Sequence, residues 1–121
     1  MIDGLDPLIH APKRLAAMAI LANSTTASFK FLKEHLNLQD SDLSKQMSAL
    51  ESAGYLTASK AGHGRGGSTT FRITAAGKRA YGAHRSALRA LLDGAPEPDD
   101  VALLRRKAQV DPTKTAHHRG I

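Results

Sequence analysis

Apolar residues in this chain recur mostly at helical spacing, and one glycine-rich tract interrupts them. The sharpest pattern lies between positions 39 and 54. Leu43, Met47 and Leu50 recur at i, i+4 and i+7, which lines one side of a helix. Ser41, Ser44, Lys45, Ser48 and Ser52 fall on the other side, a surface of small hydroxyls and one cation that suits close approach to something polar and anionic. Asp40 or Ser41 is expected to cap the start. Gly54 is expected to stop the helix, because glycine enters the left-handed conformation at little cost. Tyr55 to Ser59 then reads as a strand, and Thr69 to Ile73 as a second, with Phe71 and Ile73 alternating against polar neighbours. Gly62-His63-Gly64-Arg65-Gly66-Gly67-Ser68 between them is a flexible, cationic hairpin tip.

The flanking segments extend this pattern. Leu5, Leu8 and Ile9 form a first apolar turn around Pro7, and Pro12 suits the first turn of the next helix. Leu15, Met18, Ala19 and Ala22 continue that helix, with Ile20 and Leu21 widening its stripe. Asn23 to Thr26 is a turn or a short strand. Ser28 is expected to cap a helix over 29–36 that buries Phe29, Leu32 and Leu36, and Asn37-Leu38-Gln39 connects it to the central helix. Two helices joined so tightly have the spacing of a helix-turn-helix. After the hairpin, Thr74 is expected to cap a long helix from Ala75 to about Asp93, with Gly77, Tyr81, His84, Leu88 and Leu91 spaced 4, 3, 4, 3 along one seam and Leu92 beside it. A compact domain leaves the far end of that seam uncovered. A second copy is therefore expected to meet it, with Leu5 to Ile9 contributing; the alternative is a seam that folds back on its own core. Residues 94–100 are a linker by composition, Val101 to Lys107 two turns of helix ended by Asp111-Pro112, and Thr113 to Ile121 a disordered tail. The expected domains are 1–93, globular, and 94–121, linker and partly disordered tail.

Charge sharpens the picture. At 121 residues the chain is expected to hold one domain with at most a tail, and its net charge of +6 points to an acidic partner such as nucleic acid, with ribosomal or membrane-surface partners fitting too. From Ser52 to Leu92 there is no acid, while Lys60, Arg65, Arg72, Lys78, Arg79, Arg85 and Arg89 all fall there. A solvated charged face usually mixes signs. With no cysteine, disulfides and thiolate metal sites are excluded. No signal peptide or membrane-length apolar run is evident, which makes a cytoplasmic protein the expectation. The six histidines are scattered without metal-ligand spacing, and no nucleophile–base pattern or carboxylate pair stands out, so no metal, cofactor or enzymatic activity is expected. The glycine tract is no nucleotide loop either: it joins two strands, and no Gly-Lys-Ser/Thr follows.

Leu43-Ser44, Met47, Leu50-Glu51, Ala53-Gly54-Tyr55-Leu56, Phe71, Ile73-Thr74 and Gly77-Lys78 together resemble the DNA-binding segment of small winged-helix transcriptional regulators of the MarR/ArsR-like group. Leu5-Asp6-Pro7-Leu8-Ile9-His10 and Arg14-Leu15 are similar to the start of single-domain members. The resemblance covers roughly residues 5–92, with Met47 and Ile73 replacing commoner leucines. It implies a mainly α fold with a small β-hairpin, a winged helix-turn-helix whose N- and C-terminal helices form a dimer interface. It further implies a homodimeric repressor or activator that binds double-stranded DNA.

On this reading Ser41, Ser44, Lys45, Gln46 and Ser48 of the recognition helix face the major groove. Arg65 reaches from the wing into a narrow minor groove, assisted by His63, while Lys60 and Arg72 reach phosphates from the strands. Leu5, Leu8, Ile9, Tyr81, His84, Leu88, Leu91 and Leu92 form the dimer seam, where His84 would add pH sensitivity. The alternatives are a winged helix used for protein interaction, a ligand- or metal-responsive sensor on the same fold, and an RNA-binding domain. Aromatics make up only 4% of the chain, too few for base stacking to favour RNA. Arg65→Ala should weaken all duplex binding at an unchanged melting temperature and lower the salt slope of log K by about 0.9. Titrations at two ionic strengths check this, and an unaltered affinity removes the wing from the interface.

Overall fold

The computed structural model describes residues 3–62 and 67–108. The elements run α1 (Pro7–His10), α2 (Pro12–Ser24), β1 (Thr26–Ser28), α3 (Phe29–Leu36), α4 (Asp40–Ser52), β2 (Leu56–Ala61), β3 (Ser68–Ile73), α5 (Ala75–Asp93) and α6 (Asp99–Ala108). The chain divides into two compact units, Met1–Leu91 and Leu92–Ile121.

In the first unit, α2 is the hub, packing against α1, α3, α4, β1 and β3. Its Ala17, Met18 and Leu21 meet Leu32 of α3, Leu43, Met47 and Leu50 of α4, Leu56, Phe71 and Ile73 of the sheet, and Ile9 of α1, all buried in one core. The start signals act as expected at four helices. Pro7 and Pro12 open α1 and α2, and the Ser28 hydroxyl accepts from the Phe31 amide at 3.0 Å. Thr74 Oγ1 accepts from Gly77 N at 2.9 Å and so caps α5. Asn37 takes the left-handed conformation at φ 55°, which closes α3 and turns the chain toward α4.

The start of α4 departs from expectation. Gln39 occupies the cap position, without a side-chain cap bond, and Asp40 and Ser41 lie inside the first turn. An acid there still favours the helix, because its charge meets the positive end of the dipole. Gly54, at φ 81°, follows the helix end as expected.

The sheet has a third strand. Thr25, at φ 71° and ψ −44°, swings the chain out of α2, and its carbonyl accepts from Ile73 N at 3.0 Å. The sheet order is β1-β3-β2, antiparallel throughout, with Ala27 and Ala58 flanking Phe71 and with Lys60 opposite Thr69. The hairpin strands outrun the expected ranges, reaching Ala61 and starting at Ser68. His63 and Arg65 lie outside the described residues.

In the second unit, α6 begins at Asp99, earlier than the expected Val101. It carries Asp99 and Asp100 in its first turn and Arg105, Arg106 and Lys107 in its last, a polarity that complements the helix dipole at both ends. Arg105 pairs with Glu97 at 2.8 Å. The expected stop at Asp111-Pro112 and the tail from Thr113 lie outside the described residues.

Two glycines of α5 separate packing from propensity. A Cβ on Gly77 would lie 2.1 Å from the Tyr55 carbonyl oxygen and 2.9 Å from Ile73 Cγ1, whereas one on Gly82 would meet nothing within 4 Å. Gly77→Ala should therefore cost about 3 kcal/mol as overpacking against backbone. Gly82→Ala should add about 0.5–1 kcal/mol from helix propensity. Urea denaturation of both variants checks the pair.

Candidate nucleic-acid interface

Helix α4 presents Ser41, Ser44, Lys45 and Ser48 to solvent, all exposed. Leu43, Met47 and Leu50 anchor its opposite side, each no more than 1% exposed. The hydroxyl face continues onto the sheet. Ser44 and Ser48 share an open groove of about 160 Å³ with Lys60 of β2 and Thr69 of β3, floored by Met47 and Phe71. Thus three of the expected contact residues, Ser44, Ser48 and Lys60, come together on one surface.

Arg72 does not join them. Successive strand residues point to opposite faces. Lys60 pairs with Thr69, on the side of Phe71 and Ile73 that faces the helices, whereas Arg72 pairs with Thr57 and Thr26 on the reverse face. The sheet register therefore separates the two cations that sequence position had grouped together.

Gln46 is a correction. It is only 8% exposed, so it cannot lie on the outward face. Its Oε1 accepts from Arg14 Nη1 at 2.7 Å, and its Nε2 donates to Asp42 Oδ1 at 2.8 Å. Arg14 Nε also donates to the Leu8 carbonyl at 2.6 Å. Lys13 pairs with the other oxygen of Asp42, and Lys33 pairs with Asp40 at 2.8 Å. The Lys13 bond, then that from Gln46, holds the Asp42 carboxyl below its ordinary value, and Asp40 raises Lys33. Both first-turn acids of α4 are thereby matched by lysines, which lessens their repulsion of an anionic partner. Gln46 follows Leu43 by three and precedes Leu50 by four, so positions 43, 46, 47 and 50 complete one helical face; that spacing was the overlooked signal. Arg14 and Asp42, which orient Gln46, carried no comparable sequence mark.

The expected dimer seam also needs correction. Ile9 and His84 are both 0% exposed within the single chain, so neither can form an intersubunit surface. Leu8 and Tyr81 pack against the same core. Leu5, Leu88 and Leu91 are half-buried, and Leu92 is 66% exposed. At His84 the inward-facing part of the seam is covered by Asp6 and by His10 of α1.

A family model described as a winged helix DNA-binding domain matches residues 13–92. The chain belongs to that family. The match spans the helix-turn-helix, the hairpin and most of α5. Among solved structures, this winged helix is similar to the transcriptional regulator homologue protein from Pyrococcus horikoshii OT3, with 27% identity and a TM-score of 0.68 over 74% of this chain and 89% of that one. It is similar in fold to the PcaV transcriptional regulator from Streptomyces coelicolor in complex with its natural ligand, at 20% identity, 88% and 79% coverage and a TM-score of 0.58. It is likewise similar to reduced AbfR bound to DNA, at 14% identity, 82% and 68% coverage and a TM-score of 0.55. The Pyrococcus horikoshii protein and PcaV are both named transcriptional regulators, in agreement with the motif resemblance. No curated protein matches the chain in sequence. Among the described residues no helix is long and apolar enough to cross a membrane.

The buried amide of Gln46 and the exposed Lys45 should behave oppositely. Gln46→Ala leaves Arg14 and Asp42 without their partner and should lower the unfolding free energy by about 1–3 kcal/mol. Lys45→Ala, next to it in sequence, should change stability by no more than about 0.5 kcal/mol. Chemical denaturation distinguishes them.

Proposed function

We propose that this chain is a sequence-specific, double-stranded DNA-binding transcriptional regulator that acts as a homodimer. The observation that carries the reading is the outward face of α4. Across Ser41, Ser44, Lys45 and Ser48 the helix presents small hydroxyls and one cation, flanked by the exposed Asp40 and Glu51, and leads to Lys60 through one groove that Glu51 also lines. Small side chains let the helix axis approach a major groove closely, and hydroxyls and ammonium hydrogen-bond base edges or phosphates. Arg65 and His63 of the hairpin tip complete the surface by contact with the minor groove, and Arg72 reaches backbone from the reverse face of the sheet. AbfR, a fold relative, is known in a DNA-bound structure, which supports the same use here.

The dimer reading rests on Leu88, Leu91 and Leu92 toward the end of α5, with Leu5 just ahead of α1 and Leu8 within it. Leucines left partly or wholly exposed at successive turns suit a second copy. A two-fold pair would set two recognition helices about 34–36 Å apart, one turn of duplex. A ligand-responsive sensor is the second reading, favoured by PcaV, solved with its natural ligand. Against it, α1 and α5 meet directly through His10 and the fully buried His84, whose rings lie edge to face.

Selection of bound fragments from random genomic duplex at two salt concentrations tests the function. Recovery of one inverted-repeat motif is the expected result, lost in the Ser44→Ala, Lys45→Ala double variant. Salt-sensitive binding with no motif would leave an architectural protein, and no binding would favour a protein-interaction module. Leu88→Asp with Leu91→Asp should give folded monomers in sedimentation, with circular dichroism as the folding control. A persisting dimer would place the interface elsewhere.

A further inference from the structure

Helix α1 is held at both ends by polar bonds that converge on two histidines. The backbone N–H of Asp6 donates to His84 Nδ1 at 2.9 Å. An amide offers only a proton, so Nδ1 must be the bare acceptor and the His84 proton must sit on Nε2. That nitrogen lies 3.2 Å from His10 Nδ1, to which it donates. The two rings meet edge to face with centroids 5.1 Å apart. His84 is wholly buried and both of its ring nitrogens are used, so the neutral Nε2–H form is the one this packing accepts.

The same Asp6 holds the rest of the segment. Its Oδ1 caps α1, accepting from Leu8 N at 2.9 Å and Ile9 N at 3.4 Å, and its Oδ2 accepts from the Tyr55 hydroxyl at 2.6 Å. Gly4, at φ 90°, passes so close to α5 that a Cβ there would lie 3.1 Å from Ala87 Cβ. At its other end α1 offers the Leu8 carbonyl to Arg14, and Arg14 grips Gln46 of α4. An unbroken line of bonds therefore runs from His84 through α1 to the recognition helix.

We propose that His84 is a proton-operated latch: when it is neutral it seats residues 4–10 on α5, and when it gains a proton it releases them and loosens α4 through Arg14 and Gln46. A second proton on the ring would sit on Nδ1 and face the Asp6 N–H, two donors 2.9 Å apart with no acceptor between them. The titratable groups facing the ring are His10 from α1, the Asp6 carboxylate ahead of it and, beyond Asp6, Tyr55 at the entry to β2; Tyr81 and Arg85 flank His84 on its own helix. Burial first, and His10 second, push His84 below its ordinary value against the opposing pull of Asp6. Burial would raise the Asp6 carboxyl, but its bonds from Tyr55, Ile9 and Leu8 and the nearby His84 carry it below the ordinary value instead.

The sign follows from linkage. The unfolded chain protonates its histidine near 6.5, before the folded chain does. The stabilisation from neutral His84 is thus complete above that value and lost as pH falls through it toward the depressed folded value. The Asp6 contribution persists until the pH drops below 3.8, a separate window.

The test is nitrogen-resolved NMR of the full chain without DNA, taken from about pH 7.5 to about pH 5. His84 Nδ1 should be unprotonated at the upper value. On acidification His84 should protonate in the same step that lowers the exchange protection factors of the Asp6 and Ile9 amides by about tenfold per pH unit. The Gln46 side-chain amide should shift with that step. His84→Asn keeps an acceptor for the Asp6 amide but cannot titrate, and should show none of these changes. A protonated Nδ1 at the upper value, an Asp6 amide still protected after His84 titrates, or an equal loss in His84→Asn would each overturn the latch. A Gln46 amide that ignores the step would overturn its transmission to α4. The consequence for DNA rests on the proposed function and is read separately, as a fall in duplex affinity at the same midpoint. Failure to bind duplex at any pH, with the NMR changes intact, would refute the DNA reading and leave the latch standing.

Discussion

The burial of one side of α4 against α2 constrains everything else in this molecule. Leu43, Met47 and Leu50 are essentially inaccessible, and each buried side chain of this kind contributes about 1.5–3 kcal/mol. The ion pairs at the same helix, Lys13–Asp42 and Lys33–Asp40, are exposed and screened by solvent, and contribute far less. Apolar packing therefore decides how the helix lies, and the ion pairs only trim its first turn. Once those three residues face inward, the 3.6-residue period leaves Ser41, Ser44, Lys45 and Ser48 no direction but outward. Core and candidate reading surface are two sides of one helix, and a change to the first moves the second.

Directional polar bonds refine what apolar packing leaves loose. Apolar contact resists burial or exposure of a face but only weakly resists sliding. Gln46, held by Arg14 on one side and Asp42 on the other, supplies the missing register. Arg14 in turn is shared with the Leu8 carbonyl, so the placement of α4 depends on a helix of only four residues. Such a short helix has little stability of its own. It persists because Pro7 sets its first turn, Asp6 caps it, Ile9 is sunk in the core and His84 receives the preceding amide. The least self-sufficient element thus sits between the long helix α5 and the candidate DNA-facing helix.

The sequence patterns were informative wherever a residue's role followed from near neighbours. Ser28, Thr74, Pro7 and Pro12 act at the helix starts where their chemistry places them, and Gly54 terminates α4 as its freedom of φ requires. The patterns misled where a role depended on a distant partner. Gln46 is polar and sits among polar residues, yet Arg14, thirty-two positions away, makes its burial tolerable. His84 and Ile9 were read as a surface because their own helices showed an apolar seam; His84 is covered from the opposite end of the chain, and Ile9 is sunk in the core. Lys60 and Arg72 read as a pair until the register with Thr69 and Thr57 put them on opposite faces.

By itself, then, the sequence determined the kind of element at most positions, the apolar stripe and hydroxyl face of α4, the hairpin after it and the acid-free basic stretch beyond Ser52. Those depend on periodicity, backbone freedom and local composition, which act within a few residues. Only the tertiary structure decided that β1 joins the sheet, that Gln46 faces inward, that His84 of α5 is covered by the segment around Asp6 and His10, and that two histidines seventy-four positions apart share a hydrogen bond. Each of these rests on which surface lies against which. A chain records that through the fit of many side chains at once, and a linear pattern does not carry it.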